Sequence, residues 1–247
     1  MAACGRTGFD LIDAAPGGAL DAALVVPPDA GLGVPPVLVA SVYTRTVGTS
    51  SLSFLLTVPP GIDRFLIVSA AIGSACGDPS VATVTGVTYG GVPLQRIDAV
   101  TGTPCDANVT RSEQWQLVAP AMGTNEVLVT LSGPGLTLHG GALVFTGSNQ
   151  VTPVRASMTG RGASTAATVV VPSAIGDLVV STVGQGDAIV STGLGQTSVS
   201  VLNAGGSNTL DNSAASTAPG AAPVVAMDWH FAISDEWQMI VSSLQPP

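Results

Sequence analysis

Val87-Thr88-Tyr89-Gly90-Gly91-Val92-Pro93-Leu94 places a Gly-Gly pair between two short apolar runs. A two-residue hairpin connection needs positive φ at its central positions, and glycine adopts that conformation without a Cβ penalty. Pro93 has no N–H to give to a ladder, so it belongs at a strand start or a sheet edge. The octapeptide predicts an antiparallel hairpin.

The same grammar extends in both directions. Short apolar runs separated by turn clusters recur every ten or so residues from Ser41 onward, the spacing of a sandwich or barrel. The expected strands are Ser51–Val58, Arg64–Ile72, Ala82–Tyr89, Val92–Val100, Ser112–Val118, Glu126–Ser132, Leu138–Thr146, Ala166–Val171, Asp177–Val183, Thr197–Leu202, Val224–Ile233 and Glu236–Ser243. No window of helical length keeps a 3.6-residue period. The fold class is therefore all-β: one large antiparallel, jelly-roll-like sandwich of about twelve strands over residues 41–247, behind a flexible leader at residues 1–40.

Val58-Pro59-Pro60-Gly61-Ile62-Asp63-Arg64-Phe65-Leu66 recurs loosely as Val171-Pro172-Ser173-Ala174-Ile175-Gly176-Asp177-Leu178-Val179. In both, a strand ends at Val-Pro, turns, and re-enters as an apolar run. We read this as one turn used twice, which leaves open whether the chain is duplicated. Wholly apolar runs such as Phe65–Val68 suit strands covered on both faces. Gly205–Ala222, rich in Gly, Ser, Asn and Ala, is expected to be a mobile loop.

Only 9% of the 247 residues are charged, 46% are apolar, and the net charge is -9. All seven cationic side chains are arginines, at positions 6, 45, 64, 96, 111, 155 and 161, and they are scattered singly. Nucleic-acid binding draws on clustered cations, so a polyanionic partner is not expected. The apolar content argues against disorder. No run of 18 apolar residues occurs, since prolines interrupt Leu24–Val42, so no membrane-spanning helix is expected.

The opening Met1-Ala2-Ala3-Cys4 resembles the end of a bacterial lipobox, Leu-Ala-Ala-Cys in its usual form, with Met1 standing where that family has Leu. The Asp/Ala/Gly/Pro-rich stretch from Gly5 to Gly33 looks like the tether of a surface lipoprotein. The resemblance implies a diacylglycerol on Cys4, provided that a signal segment precedes it, and anchoring through acyl chains at about 0.8 kcal/mol per buried CH₂. Membrane contact is expected only through that anchor. Cys76 and Cys105 lie in turn-rich segments at strand ends, where a disulfide between them would stabilise by roughly 3–4 kcal/mol.

Thr85–Leu94, Trp115–Thr124, Phe145-Thr146-Gly147 and Trp237 are similar to a sandwich module of secreted, surface and phage-tail-associated proteins. This resemblance implies a jelly-roll-like fold and transfers no catalytic residue.

The search for chemistry finds no Gly-x-Ser-x-Gly elbow. Asp228-Trp229-His230 puts a carboxylate and an imidazole on one face of a strand and Trp229 on the other, the arrangement of an oriented base or a metal ligand, or else of an exposed polar face over a core Trp. His139 reads as a strand-end polar residue. Glu113 and Glu236 are the carboxylates to test as a glycosidase pair. Asp78, Asp106 and Asp187 sit in loops where calcium could bind; no other cofactor or metal is expected. Trp115, Trp229 and Trp237 alternate with polar neighbours and are expected to face inward, leaving Tyr43 and Tyr89 as the exposed rings.

These readings favour a non-catalytic structural or interaction module outside the cytoplasm, surface-displayed or secreted, with a protein or glycan partner. A carbohydrate-binding domain is the alternative, followed by a hydrolase using Asp228 and His230, and by a phage-type appendage or shell component.

Overall fold

The computed structural model describes residues 33–73, 82–102, 111–135, 137–186, 188–203 and 212–247. Within them the chain is all-β and every ladder is antiparallel. The expected sandwich is present, and it is built twice.

The first half holds β1 (Val37–Val47), β2 (Ser51–Val58), β3 (Phe65–Gly73), β4 (Val84–Tyr89), β5 (Val92–Pro93), β6 (Gln95–Thr101), β7 (Arg111–Val118), β8 (Gly123–Leu131) and β9 (Thr137–Thr146). One sheet runs β1-β9-β3-β7-β6 and the other β2-β8-β4-β5, which is the strand order of a jelly roll. The second half holds β10 (Val154–Pro172), β11 (Leu178–Gln185), β12 (Ile189–Thr192), β13 (Thr197–Asn203), β14 (Asn212–Pro219) and β15 (Val224–Leu244).

β10 and β15 are long because each serves two sheets. Up to a register shift at Ser164/Ala166, β10 pairs with Asp235–Leu244 of β15; after it, β10 pairs with Val224–His230. The two stretches of β10 therefore stand where β1 and β2 stand in the first half, and those of β15 where β8 and β9 stand. β11, β12, β13 and β14 take the places of β3, β4, β6 and β7. Apart from the β4–β5 hairpin, each ladder of the first half has its counterpart in the second, and no ladder between described residues joins the halves.

The recurrent Val-Pro turns occupy equivalent places. Asp63 and Gly176 both carry positive φ, +51° and +93°. The residues that follow close the same bond, Ala119 N to Arg64 O at 2.9 Å and Gly220 N to Asp177 O at 2.8 Å. At +93° any side chain is strained, so Gly176→Ala is expected to cost about 1–2 kcal/mol in urea unfolding.

Three apolar clusters follow from this doubling. Leu66, Val68, Ala70 and Ile72 of β3 point between the two sheets of the first half, with Leu56, Val87, Tyr89 and Val129. Trp229, Met227, Trp237 and Val179 fill the equivalent space in the second half. Phe65 and Ile67, on the opposite face of β3, meet Val180, Ala215 and Leu244 where the two inner sheets pack back to back. β3 is thus buried along its whole length, as its apolar run predicts. The contacts between halves are reciprocal, β6 against β10 and its counterpart β13 against β1, with β3 against β11, as in a two-fold dimer. Polar side chains lock this seam: Gln114 Nε2 donates to Thr182 Oγ1 at 2.9 Å, Ser242 Oγ donates to Gln114 Oε1 at 2.7 Å, and His139 Nδ1 lies 3.0 Å from Ser213 Oγ.

Four expectations are corrected. Asn212–Pro219, inside the stretch expected to be a loop, is β14, buried along seven of its eight residues. Its small side chains suit a strand sandwiched between flat neighbours, and Ser181 and Ser216 satisfy each other at 2.7 Å. β1 begins at Val37, within the span expected to be leader. The two expected C-terminal strands are one continuous β15. Val92–Val100 divides into β5 and β6, which enter different sheets. Cys4, Cys76 and Cys105 lie outside the described residues.

Candidate functional site

A groove of about 570 Å³ lies at one end of the first half. The turn after β2 supplies Pro60 and Ile62, β1 supplies Val37 and Val39, and Val34 and Pro247 close it from the two ends of the described chain. Gly33 packs directly against Pro246, which brings those ends together. Ile62 and Val34 are 78% and 77% exposed, an unusual state for such side chains, and Asp63 is the only ionisable side chain in the lining. The groove offers apolar surface and no acid–base pair.

A smaller cleft of about 230 Å³ lies beside Tyr89, Leu117 and Asn125. Tyr89 is a core residue, 1% exposed, with its hydroxyl 3.1 and 3.0 Å from the carbonyl oxygens of Ala121 and Gly123 and accepting from Asn125 Nδ2 at 3.2 Å. The Tyr43 hydroxyl is buried at the seam between halves, and burial pushes its phenol up from the ordinary value, a rise that the nearby Ser69 hydroxyl only partly offsets. Neither tyrosine is the exposed ring expected of it. Tyr43, on β1, is covered by the other half of the molecule, a placement the local sequence does not encode, while Tyr89, on β4, faces the opposite sheet of its own half beside Val87.

Asp228 and His230 do share a face of β15, and that face is the outer one. Asp228 is half-buried and Oδ1 accepts from Thr168 Oγ1 at 2.6 Å; His230 is exposed. Trp229 points the other way into the core, fully buried, and its indole N–H donates to Ser181 Oγ at 3.0 Å. Trp237 is also inward-facing, and its indole donates to Ser164 Oγ at 3.0 Å, while Trp115 is half-buried. Glu113 and Glu236 are both buried, in different halves. Asp78, Asp106 and Asp187 lie outside the described residues, and among those described no three His, Cys, Asp or Glu side chains gather where a metal ion could sit.

Glu113 stands out in the sequence only as one of a glycosidase pair, and Asp177 does not stand out as a site at all; the structure gives both as buried, partnered carboxylates. Glu113 is completely buried, accepting from Arg111 Nε at 2.6 Å, Trp115 Nε1 at 3.2 Å and Val84 N at 3.1 Å, with Arg96 at 3.9 Å. Arg111, Glu113 and Trp115 follow at i and i+2, so their common strand face was legible in principle. Asp177 is clamped by Arg155 Nε at 2.6 Å, Ser243 Oγ at 2.9 Å and Ala174 N at 2.9 Å. Its Arg155 partner comes from a strand 22 residues earlier, which no local pattern signals.

No protein-family model, curated protein or solved structure matches this chain.

Proposed function

We propose that this chain is a non-catalytic structural or interaction module, displayed or secreted outside the cytoplasm. One observation carries the reading. The buried carboxylates Glu113 and Asp177 are taken up by arginines, backbone N–H groups and hydroxyls of the fold itself, while the 570 Å³ groove is lined mainly by aliphatic side chains. Catalytic carboxylates are instead aimed at a cleft where a reacting atom can sit. The inward placement of Trp229, Trp237 and Tyr89 removes three candidate stacking platforms and weighs against the glycan-binding alternative.

Two experiments test the proposal. Panels of chromogenic glycosides, esters and peptides are expected to show no turnover above that of a variant carrying Asp228→Asn and His230→Ala together; turnover lost in that variant would restore the hydrolase. For the compartment, the proposed Cys76–Cys105 disulfide predicts that alkylation of the unfolded, unreduced chain followed by intact-mass measurement labels only Cys4. Labelling at all three cysteines would remove that support for an oxidising location.

A further inference from the structure

The edge of a sheet is a row of backbone groups without partners, and proteins blunt such rows with bulges, prolines, short strands or charges. Nearly every edge here is blunted. β1 slips register between Leu38 and Ala40, β6 between Arg96 and Asp98, β12 between Ile189 and Ser191, and β13 between Ser198 and Ser200. β10 slips twice and ends in Pro172, and β5 is two residues long and contains Pro93. Among the described edge strands, β2 is the exception. It ends its sheet and pairs with β8 without a break from Ser51↔Thr130 to Val58↔Gly123. Its sequence, Ser-Leu-Ser-Phe-Leu-Leu-Thr-Val, contains neither a charge nor a proline.

One hydrogen bond tells which backbone groups face the open side. Leu131 N donates to Ser50 O at 2.8 Å, so that pair is a bonded one. Bonded and non-bonded pairs alternate along an antiparallel ladder, which makes Leu52↔Val129, Phe54↔Val127, Leu56↔Asn125 and Val58↔Gly123 the bonded pairs of β2 with β8. The N–H and C=O groups of Ser51, Ser53, Leu55 and Thr57 therefore point away from the sheet. Their side chains stand exposed on its outer face, Leu55 at 67%, while Leu52, Leu56 and Val58 are buried beneath.

We propose that this edge pairs antiparallel with the same edge of a second copy of the chain, joining two outer sheets across a two-fold axis. Identical strands are self-complementary in this arrangement. A register centred on Phe54 sets Ser51 opposite Thr57 and Ser53 opposite Leu55, so the outward backbone groups meet counterparts, the Ser51 carbonyl sharing its lone pairs with the Thr49 hydroxyl that already donates to it at 2.8 Å. Odd-numbered residues then oppose odd-numbered ones, and each continues the face its neighbours already form. Charge does not forbid the pairing. The outer-face carboxylate nearest the edge, Glu126 on β8 opposite Leu55, would sit three strand spacings from its copy, roughly 14 Å and beyond the screening length of about 8 Å at physiological salt. The inference extends the interaction-module reading by naming a partner and rests on it for that meaning alone.

Sedimentation of the full chain from micromolar to millimolar concentration is expected to show a monomer–dimer equilibrium. Hydrogen exchange at the Ser51, Ser53, Leu55 and Thr57 amides is expected to slow as the dimer forms. Ser53→Pro removes an outward N–H without touching the β8 ladder, and Leu55→Lys puts a cation on the joined face; both are expected to be monomers with unchanged melting temperature. If Ser53→Pro fails to fold, Leu55→Lys decides alone. A wild-type chain that stays monomeric throughout, or a dimer that survives Leu55→Lys, overturns the proposal. A monomer without turnover overturns only this pairing and leaves the non-catalytic reading intact.

Discussion

Gly141→Val is expected to yield no soluble folded protein. Gly141 lies on β9, between Tyr43 of β1 and Ser69 of β3, in a sheet covered on both faces. A Cβ placed there would run into the Tyr43 ring, 2.5 Å from Cζ, and would lie 2.7 Å from Ser69 Oγ. The Tyr43 ring cannot swing clear, because its hydroxyl is enclosed between the two halves. Overpacking a core costs about 1–3 kcal/mol where neighbours can yield, and more where they cannot, against a total stability of about 5–15 kcal/mol. Gly141→Ala should accordingly lose about 3 kcal/mol or more, and valine adds two methyls to the same collision. Combining Gly141→Ala with Tyr43→Ala tests the cause. Urea unfolding is expected to show a smaller penalty for the alanine at 141 once the ring is gone, and equal penalties in both backgrounds would mean that the ring is not the obstacle.

The second large effect is expected at Asp177. Its carboxylate is fully buried and holds three elements at once: Arg155 of β10, Ser243 of β15 and the turn at Ala174. Asp177→Ala strands those donors, and a loss of about 2–4 kcal/mol is expected, below the full value for a buried pair because the Arg155 side chain is 38% exposed. Burial alone pushes the Asp177 carboxyl up, but hydrogen bonds from Arg155, Ala174 and Ser243, with the guanidinium charge, outweigh it and hold the group below its ordinary 3.8. A carboxyl depressed on folding binds its proton more readily in the unfolded chain. Its stabilisation is therefore full well above the unfolded value of 3.8 and is lost as the pH falls towards and through the lower folded value. The stability difference between wild type and Asp177→Asn should be constant near neutrality and shrink in acid; a difference that persists unchanged at pH 2 would show that the charge is irrelevant.

Where packing follows from local pattern, the sequence was readable. β2 has the bounds that its Ser-Leu-Ser-Phe alternation predicts, the Gly90-Gly91 turn has φ of +55° and +81°, and the repeated Val-Pro turn marks a true structural equivalence. β14 was hidden because Asn-Ser-Ala-Ala-Ser-Thr-Ala has loop composition. What makes it a strand is its pairing on both sides, with β13 just before it and with β11 from further back in the chain. The misplacement of Tyr43 has the same origin: an aromatic ring on a lone sandwich can face water, but when two sandwiches stack, the outer face of an inner sheet becomes an interior. Tyr89 instead shares the inner face of β4 with Val87, between the two sheets of its own half, and that i, i+2 relation was local. The carboxylate sites divide along that line as well: the strand-face relation of Arg111 to Glu113 is local, and the Arg155–Asp177 clamp is tertiary.

The confinement of every described ladder to its own half also bears on how the chain may be cut and rejoined. Gly33 touches Pro246 at one end of the molecule, and residues 147–153 are the sole described covalent passage from β9 to β10. A circular permutant that opens the chain within Asn149–Thr152 and bridges Pro247 to Gly33 with a short loop would reverse the order of the halves while breaking no interstrand ladder. It would forfeit the capping bonds of that passage, Asn149 N to Gln245 O at 2.9 Å and Gln245 N to Pro153 O at 3.0 Å. The interstrand ladders thus impose no order on the two halves, which the linker joins through the chain and Gln114, Ser242, His139 and Ser213 join through side chains.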